Sequence, residues 1–444
     1  MEKKWAELSP DERQEERFRR WIAAPGVTFA NKKAEEHHRQ TIQRLIDVIQ
    51  LRVPDRVPVN FNAGFFAAHY YGISSETAMY DAEQAVKAWR KFAKDFNVDT
   101  LGGPGGVSGR PLEIMDYKLY QWPGHGVPAN ATYQYVEAEY MTADEYDDFL
   151  LDPSDFFLRT YLPRVFGALE PFKKLAPLTD NIELPMTSPY LVSLGTPEVQ
   201  TALQAMIDAG KEAMKWMDAT RGFSKEMTEA GYPRVTGGMC KAPFDTLGDT
   251  LRGTRGIIND MYRQPNKVLA ALDKIALMEI KRGVSAVNAG GVPIITMPLH
   301  KGADGFMSEK QFQTFYWPTL KQVALGLINE GIVPSFFAEG GYGSRLDIIK
   351  ELPKGKVIWY FDQTDMTKAK EILGKTACLQ GNVPTSLMCT ATPADVKAYC
   401  KKLIETAGKG GGFILAPGAG TDEAKAENIH ALIESAHEYG TYRK

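Results

Sequence analysis

The clearest pattern in the chain is a series of short apolar runs that alternate with amphipathic stretches after residue 292. The runs are rich in β-branched and aromatic residues, as is typical of strands, and the stretches between them have helical periodicity. Three of these helices are predicted to begin with caps at Ser308, Ser344 and Thr392. Five runs have this character: Pro293–Leu299, Val333–Ala338, Val357–Phe361, Thr376–Leu379 and Gly412–Leu415. Apolar strands separated by helices predict a parallel sheet covered by helices.

The pattern is weaker in the first part of the chain. Residues 1–55 are strongly charged and predict a helical arm, and Val57–Asn60 and Val98–Leu101 are the first predicted strands. Residues 110–180 are rich in Tyr, Pro and acidic residues, and predict an insertion with an extra strand at Thr132–Tyr140.

An open doubly wound sheet and a closed barrel would both produce this alternation. The sequence lacks a Gly-x-Gly-x-x-Gly turn after the first strand and a Walker-type lysine loop, which weakens the open-sheet reading. The sequence therefore predicts an α/β protein with a TIM-type (β/α)8 barrel over residues 56–444, an N-terminal helical arm over 1–55 and an insertion at about 110–180.

Composition excludes several classes of partner and location. Of 444 residues, 44% are apolar and 24% charged, and the net charge of -3 argues against nucleic acid as the main partner. The chain shows neither the apolar stretch of a signal peptide nor a run long enough to span a membrane. The four cysteines are scattered, so we expect a reducing compartment, the cytoplasm. The oligomeric state stays open, with a homodimer among the options.

Polar residues just past the apolar runs are the candidates for chemistry, because the active site of a β/α barrel lies at the carboxyl ends of its strands. We expect three of them to be catalytic: His300, Glu339 and Asp362. We expect six others to bind substrate: Asn60, Asn62, Lys301, Tyr342, Asn382 and Cys240.

Glu339 carries the most information, because its carboxylate leaves an apolar strand at the mouth. Burial there raises the pKa of a carboxyl group and suits a general acid or a cation site, whereas the structural alternative is a salt bridge to Arg345. His300 has the alternative of a structural histidine bonded to a carbonyl group. For Lys301 the alternative is a solvated charge in a loop. Asp365 is predicted to cap a helix.

The three asparagines have the alternative of satisfying backbone groups in loops. Asp362 follows an apolar strand just as Glu339 does, and both a functional and a structural role stay open for it. Cys240 is a candidate only because it follows the possible strand Arg234–Met239.

The C-terminal part of the chain resembles the uroporphyrinogen decarboxylase superfamily. The resemblance rests on Ala377–Val383, on Thr392-Pro393 and on the segment Gly408–Gly418, with similar middle segments around Pro243–Asp245 and Phe306–Ser308. It implies the barrel fold and either of two chemistries, decarboxylation in the heme pathway or methyl transfer linked to a corrinoid protein.

This sequence lacks residues that two branches of the superfamily use, which narrows the choice between the two chemistries. The heme-pathway members hold substrate carboxylates with arginines near the first strand, and this chain has Val59–Gly64 there, without arginine. The coenzyme M methyltransferases hold zinc with one His and two Cys ligands. Ala338, Gly340 and Ala419 align with those positions, which argues against zinc at the usual family site.

The resemblance therefore implies a substrate-specific methyltransferase. Such an enzyme takes a methyl group from a donor such as a methyl ether and passes it to the cob(I)alamin of a separate corrinoid protein, so we expect no metal ligands in this chain. The alternatives are a decarboxylase of uroporphyrinogen or a related acid, and a non-catalytic binding protein on the same barrel.

Overall fold

The structure, a computed structural model, describes residues 3–105 and 107–442. The described residues form nine strands, here labelled in chain order. They are β1 Tyr120–Pro123, β2 Gly126–Val127, β3 Gln134–Tyr135, β4 Gly238–Met239, β5 Ile294–Leu299, β6 Val333–Ala338, β7 Ile358–Phe361, β8 Cys378–Val383 and β9 Phe413–Pro417.

The main sheet consists of β4 to β9, and its spatial order equals the order along the chain. Every neighbouring pair is parallel, with registers such as Thr296 opposite Ser335 and Leu379 opposite Phe413. Side chains of β8 and β9 are buried on both faces, as expected for strands covered by helices. The five strand predictions after residue 292 are confirmed, with ends that shift by up to four residues.

The first predicted strand meets the last strand of this sheet. The Asn60 amide donates to the Leu415 carbonyl and the Leu415 amide donates to the Pro58 carbonyl, which makes a parallel bridge at Val59. The Val59 amide points the other way and donates to the Asp99 carboxylate at 2.8 Å. The segment Val57–Asn60 thus has one isolated bridge to β9 and is not a strand of its own. Contact between this first predicted strand and the last strand is the arrangement of a barrel, in agreement with the predicted TIM-type α/β fold class.

The second predicted strand, Val98–Leu101, is not a strand in the structure. Its side chains make the contacts that a ladder would otherwise make: Asp99 accepts from the Val59 amide, and the Thr100 hydroxyl donates to Asn60 Oδ1 at 3.1 Å. The segment therefore lies beside the first strand without backbone pairing.

Helices surround the sheet. Those before the insertion and within it are α1 Pro10–Ala23, α2 Lys32–Ile49, α3 Phe66–Tyr71, α4 Ser75–Tyr80, α5 Ala82–Asp95, α6 Gly109–Ile114, α7 Tyr146–Leu151, α8 Pro153–Phe156, α9 Leu162–Val165 and α10 Leu184–Leu191. Those that follow are α11 Pro197–Glu229, α12 Pro243–Asp245, α13 Gly253–Arg263, α14 Pro265–Gly290, α15 Glu309–Gln311, α16 Trp317–Asn329, α17 Leu346–Ile349, α18 Met366–Leu373, α19 Thr385–Thr390, α20 Pro393–Thr406 and α21 Ala426–Glu438.

Helices α1 and α2 cover the end of the sheet where the strands begin. Phe18, Trp21 and Ile46 belong to a buried apolar cluster. The cluster also contains residues at or near the starts of five strands: Val292, Ile294, Val333, Ile358, Cys378 and Ile414. The opposite end, where the strands finish, is therefore the one that is left for the mouth of the barrel.

The insertion carries the small sheet β2-β1-β3, in which Tyr120 pairs with Tyr135. The strand predicted at Thr132–Tyr140 is present only as Gln134–Tyr135. The Tyr135 hydroxyl donates to the backbone carbonyl of Asp249, which follows β4. This contact fixes the insertion against the mouth.

Candidate active site

His300 lies directly after β5 and forms the centre of a buried ionic cluster. Its backbone amide donates to Asp245 Oδ2 at 3.0 Å. Its ring Nδ1 lies 2.7 Å from Asp249 Oδ2, and its Nε2 lies 3.8 Å from Glu339 Oε1. The ring is therefore oriented by one carboxylate and faces a second at the mouth.

Asp249 is held by cations as well as by His300. Lys241 Nζ lies 2.7 Å from its Oδ2, and Lys301 Nζ lies 3.1 Å from its Oδ1. Burial alone would raise the pKa of this carboxyl group, but the hydrogen bond from His300 and the charge of Lys241 outweigh burial and hold the pKa below its usual range. Asp249 is consequently an anion at neutral pH.

Asp245 is a fully buried neighbour of Asp249. It accepts hydrogen bonds from the backbone amides of His300 and Lys301 and, at 2.8 Å, from the Tyr316 hydroxyl. Burial, and then the negative charge of Asp249, raise the pKa of Asp245 above its usual value. Asp245 thus fixes the chain that carries His300 and Lys301.

The pKa of His300 is set by opposing effects. Burial lowers it, but the hydrogen bond to Asp249 and the charges of Asp245, Asp249 and Glu339 outweigh burial and raise it above the usual value. The protonated imidazolium therefore persists to higher pH than in a free histidine. Its Nε2, the nitrogen not bonded to Asp249, faces Glu339.

Glu339 follows β6 and is the most exposed member of the cluster. Its side chain is 45% exposed, against 34% for His300 and 9% for Asp249. Burial raises the pKa of Glu339, His300 lowers it, and the carboxylates of Asp245, Asp362 and Asp249 raise it, with a net increase. This increase agrees with the expectation from the sequence that burial raises the pKa of Glu339.

The structure does not show the salt bridge between Glu339 and Arg345 that was the alternative role for Glu339. Arg345 is buried and contacts the Gly302 and Met307 carbonyls and Asp304 instead. The Glu339 carboxylate therefore remains directed at His300.

Asp362 follows β7, Asn382 lies near the end of β8, and both side chains bond backbone groups. Asp362 Oδ2 accepts from the Gly340 amide at 3.1 Å, next to Glu339. Asn382 Nδ2 donates to the carbonyls of Asp362 and Thr364 at 3.1 and 2.8 Å. Asp365 caps α18 by accepting from the Thr367 and Lys368 amides, which confirms the predicted cap.

The two asparagines near the first strand also serve local structure. Asn60 Oδ1 accepts from the Thr100 hydroxyl. Asn62 is exposed, and its Oδ1 accepts from the Gly64 amide at 3.3 Å. The structure places both at the same end of the sheet as His300 and Glu339, with contacts that hold loops.

The remaining predicted binding residues are buried in the protein. Lys301 is 12% exposed and is directed at Asp249, Thr254 and the Phe306 ring rather than at solvent. Tyr342 is fully buried beside Tyr316. Cys240 is 2% exposed and its sulfur lies near Gly283 of α14, where burial raises its pKa to about 12. Their positions favour packing and charge pairing over substrate contact.

An aromatic wall from the insertion borders the cluster. Tyr120 lies close enough to Asp249 and Glu339 for their charges to raise its pKa, after the larger effect of burial. Its ring meets the Tyr135 ring edge-on at 5.4 Å and stacks near Tyr117 at 6.2 Å. Tyr120 is 37% exposed, so a ligand at Glu339 would contact it.

Sequence reasoning missed Asp245, Asp249 and Lys241. They follow β4, which is only two residues long, and the aspartates lie in α12 and the wide helical turn after it, so no apolar run pointed to them. The available signal was the spacing of Asp245 and Asp249, because residues four apart lie on one face of a helix.

The described residues contain neither a metal-binding cluster nor a membrane-spanning helix. Across 3–105 and 107–442, no group of three or more His, Cys, Asp or Glu side chains is arranged to hold a metal ion. Within the same ranges, no helix combines the length and apolar character needed to cross a bilayer.

Comparison with known proteins gives matches of two kinds. The family model described as uroporphyrinogen decarboxylase (URO-D) matches residues 228–439. The chain is 27% identical over 204 residues to the uroporphyrinogen decarboxylase of Methylococcus capsulatus, covering 45% of this chain and 56% of that protein. It is 28% identical over 183 residues to that of Pseudomonas paraeruginosa, covering 40% and 50%. The chain thus spans about half the length of the curated relatives it matches.

The structural match extends further than the sequence match. A methyltransferase from Methanosarcina mazei superposes with a TM-score of 0.57 at 16% identity, covering 91% of this chain and 98% of that one. At this identity the match establishes a shared fold. Together with the family match over residues 228–439, it confirms that the chain resembles the uroporphyrinogen decarboxylase superfamily, as the C-terminal signature predicts.

Proposed function

We propose that the protein is the substrate-specific methyltransferase that passes a methyl group, taken from a methyl ether, to a corrinoid carried by a separate protein. One observation carries the proposal: a histidine whose ring is held by Asp249 at 2.7 Å and presents its other nitrogen to Glu339 at the mouth. In this arrangement His300 Nε2 can donate a proton to a substrate that is bound at the mouth.

The chemistry needs a proton at the ether oxygen. When the bond between the methyl carbon and oxygen breaks, its electron pair stays on oxygen, and a neutral alcohol or phenol leaves far more readily than its anion. A corrinoid on the partner would supply the electron pair that accepts the methyl group. In this chain, His300 Nε2 holds the proton that the oxygen takes.

The neighbours of His300 prepare it for this role. Asp249 keeps the ring oriented and charged, and Lys241 and Lys301 compensate the carboxylate so that it stays ionised in a buried place. Glu339, half-exposed at the mouth, would take up a proton from solvent after the transfer and pass it to Nε2, which restores the proton donor. Tyr120 and Tyr135 would pack against the non-reacting part of the donor.

The exposure of the cluster fits a cofactor that arrives on a partner. The side chains of His300 and Glu339 are reachable from the mouth, whereas Asp249 and Lys301 are shielded below them. A donor bound at the mouth would therefore place its oxygen at His300 and leave its methyl group facing outward, where a partner's corrinoid could reach it.

A spectroscopic assay tests the proposal. The purified chain is mixed with methoxylated aromatic compounds and a reduced corrinoid protein, and the cobalt absorbance is followed. We expect loss of the cob(I) band with the wild-type chain. Glu339→Gln should slow it, whereas the control Glu371→Gln, an exposed carboxylate on α18, should not. Equal rates for the two variants would remove Glu339 from the mechanism.

Decarboxylation is the second candidate, because the curated relatives are named for it. His300, whose pKa is raised and whose side chain is reachable from the mouth, provides positive charge that would pair with a substrate carboxylate. Carbon dioxide release from uroporphyrinogen, without any change of the cobalt spectrum, would favour this candidate. Saturable binding of a donor with neither reaction would favour a non-catalytic binding protein.

A further inference from the structure

A cavity of about 660 Å³ lies under the N-terminal arm, at the end of the barrel opposite the mouth. We call it the arm cavity; α1, α2 and the residues before β5 form its walls, with Arg17, Trp21, His38 and Val292 among them. Val292 precedes β5 and His300 follows it, and a strand rises about 3.3 Å per residue, so the two sites are more than roughly 20 Å apart. The arm cavity is separate from the candidate active site.

The charged side chains of the arm cavity are arginines. Arg17 and Arg20 are three residues apart on α1, which places them on one face of the helix, and Arg234 reaches the cavity from the segment before β4. None of the described residues that line the cavity is an aspartate or glutamate. In a chain whose net charge is -3, this is a local excess of positive charge.

Part of this charge is already compensated. Arg20 Nε lies 2.6 Å from Glu16, and the Arg17 guanidinium donates to the Glu330 carbonyl and to Asn288. Arg234 is exposed and has no carboxylate partner among the described residues. The outer nitrogens of Arg20 and the guanidinium of Arg234 are therefore the donors that remain for a ligand.

Aromatic side chains line the same cavity. The Arg17 guanidinium lies 4.7 Å from the centre of the Trp5 ring. Trp21 Nε1 donates to the Arg234 carbonyl at 3.2 Å, which places its indole beside that arginine. A flat ring could pack against these indoles while an attached anion meets the guanidinium groups.

His38 adds an unsatisfied polar atom. It is 3% exposed, and its Nδ1 has no hydrogen-bond partner among the described residues. Burial lowers its pKa to about 4, helped by the charges of His37 and Arg39, so the ring is neutral near pH 7. Buried polar atoms in folded proteins are normally satisfied, so this nitrogen has a place for a ligand or water to fill.

We infer that the arm cavity binds a small organic anion that carries a planar ring, with Arg20 and Arg234 holding the anionic group and Trp5 and Trp21 packing against the ring. Aryl carboxylates and nucleotides share this chemistry. The site is independent of the methyl-transfer proposal.

Calorimetric titration of the full chain at low salt tests the inference, with benzoate, adenosine monophosphate and inorganic phosphate as probes. We expect saturable one-to-one binding of benzoate or the nucleotide, which identifies the preferred anionic group, and quenching of tryptophan fluorescence. Arg20→Gln and Arg234→Gln should each raise the dissociation constant about tenfold, the effect of losing one charged hydrogen-bond partner.

The matched control is Arg19→Gln, on the same helix and absent from the cavity wall. Its affinity should equal that of the wild-type chain, and the thermal melting of all three variants should be unchanged because all three side chains are at the surface. Absence of binding, binding of inorganic phosphate alone, or equal loss of affinity in Arg19→Gln would each overturn the inference.

Discussion

The two sides of the barrel mouth use their polar residues differently. After β4, β5 and β6, charged side chains contact one another: Asp249 meets His300, Lys241 and Lys301, and His300 faces Glu339. We call this the charged side. After β7, near the end of β8 and after the segment Val57–Asn60, polar side chains contact backbone or a loop hydroxyl, as Asn382 and Asn62 do. We call this the loop-holding side.

The difference indicates that chemistry is expected on the charged side of the mouth. A side-chain atom that is paired with a backbone amide or carbonyl fixes a loop, and that atom is no longer available to a ligand. A histidine between two carboxylates keeps one nitrogen for a ligand and gains a raised pKa. The predictions below separate the two sides by activity and by stability.

Removing the histidine should have the largest effect. His300→Ala is expected to lower the rate of methyl transfer by about 10²- to 10⁴-fold, because a positioned proton donor contributes that much. The pKa of His300 is raised, so its acid form is present below that pKa and the wild-type rate falls as pH rises through it. A pH–rate profile of cobalt methylation measures both the loss of rate and its dependence on pH. If the rate of His300→Ala still fell over the same pH range, His300 would not be the proton donor.

Removing the partner of the histidine should act on its pKa. In Asp249→Asn the His300 ring loses its hydrogen-bonded anion, so the fall in rate should move to lower pH. Lys241 and Lys301 would lose their buried partner, and the free energy of unfolding should fall by about 3 kcal/mol. Chemical denaturation measures the stability. Asp362→Asn, on the loop-holding side, is the control, and its pH profile should stay in place.

On the loop-holding side we expect a change in stability. Asn382→Ala removes the amide that satisfies the carbonyls of Asp362 and Thr364, and should cost about 2 kcal/mol of unfolding free energy. The rate of methyl transfer per folded molecule should change far less than in His300→Ala. Loss of activity without loss of stability would place Asn382 in the reaction.

The smallest effect is expected at the exposed end of that side. Asn62→Ala removes one 3.3 Å hydrogen bond to the Gly64 amide in a solvated loop. The free energy of unfolding should change by less than about 0.5 kcal/mol. Steady-state kinetics should be unchanged, and a raised KM would show that Asn62 contacts the substrate.

The fold could be predicted where the sequence pattern was dense. After residue 292 each strand is a run of apolar residues, and the predicted caps at Ser308 and Thr392 are present as reciprocal side-chain and backbone bonds. The cap predicted at Ser344 was wrong, because its hydroxyl bonds Asp304 and α17 begins later. Before residue 292 the apolar pattern did not predict the strands correctly, because Val98–Leu101 is held by side-chain contacts and β4 is only two residues long.

The candidate site could be predicted only in part, for the same reason. His300 and Glu339 directly follow long strands, so their place at the mouth was visible in the sequence. Asp249 lies in a helical turn, and its importance depends on contacts with residues up to 52 positions away along the chain, which no local pattern reveals. Lys301 was expected to bind substrate, with a solvated loop charge as the alternative, and its side chain instead forms a largely buried ion pair with Asp249.

The hydrogen bond from the Tyr135 hydroxyl to the Asp249 carbonyl joins two functions in one contact. The insertion that forms the wall beside the donor also positions the residue that sets the acidity of His300. Replacing the insertion with one from a related enzyme should therefore alter both which donors are accepted and the pH at which they react. Changing substrate preference would then require compensating changes near Asp249, a constraint on how such enzymes diverge.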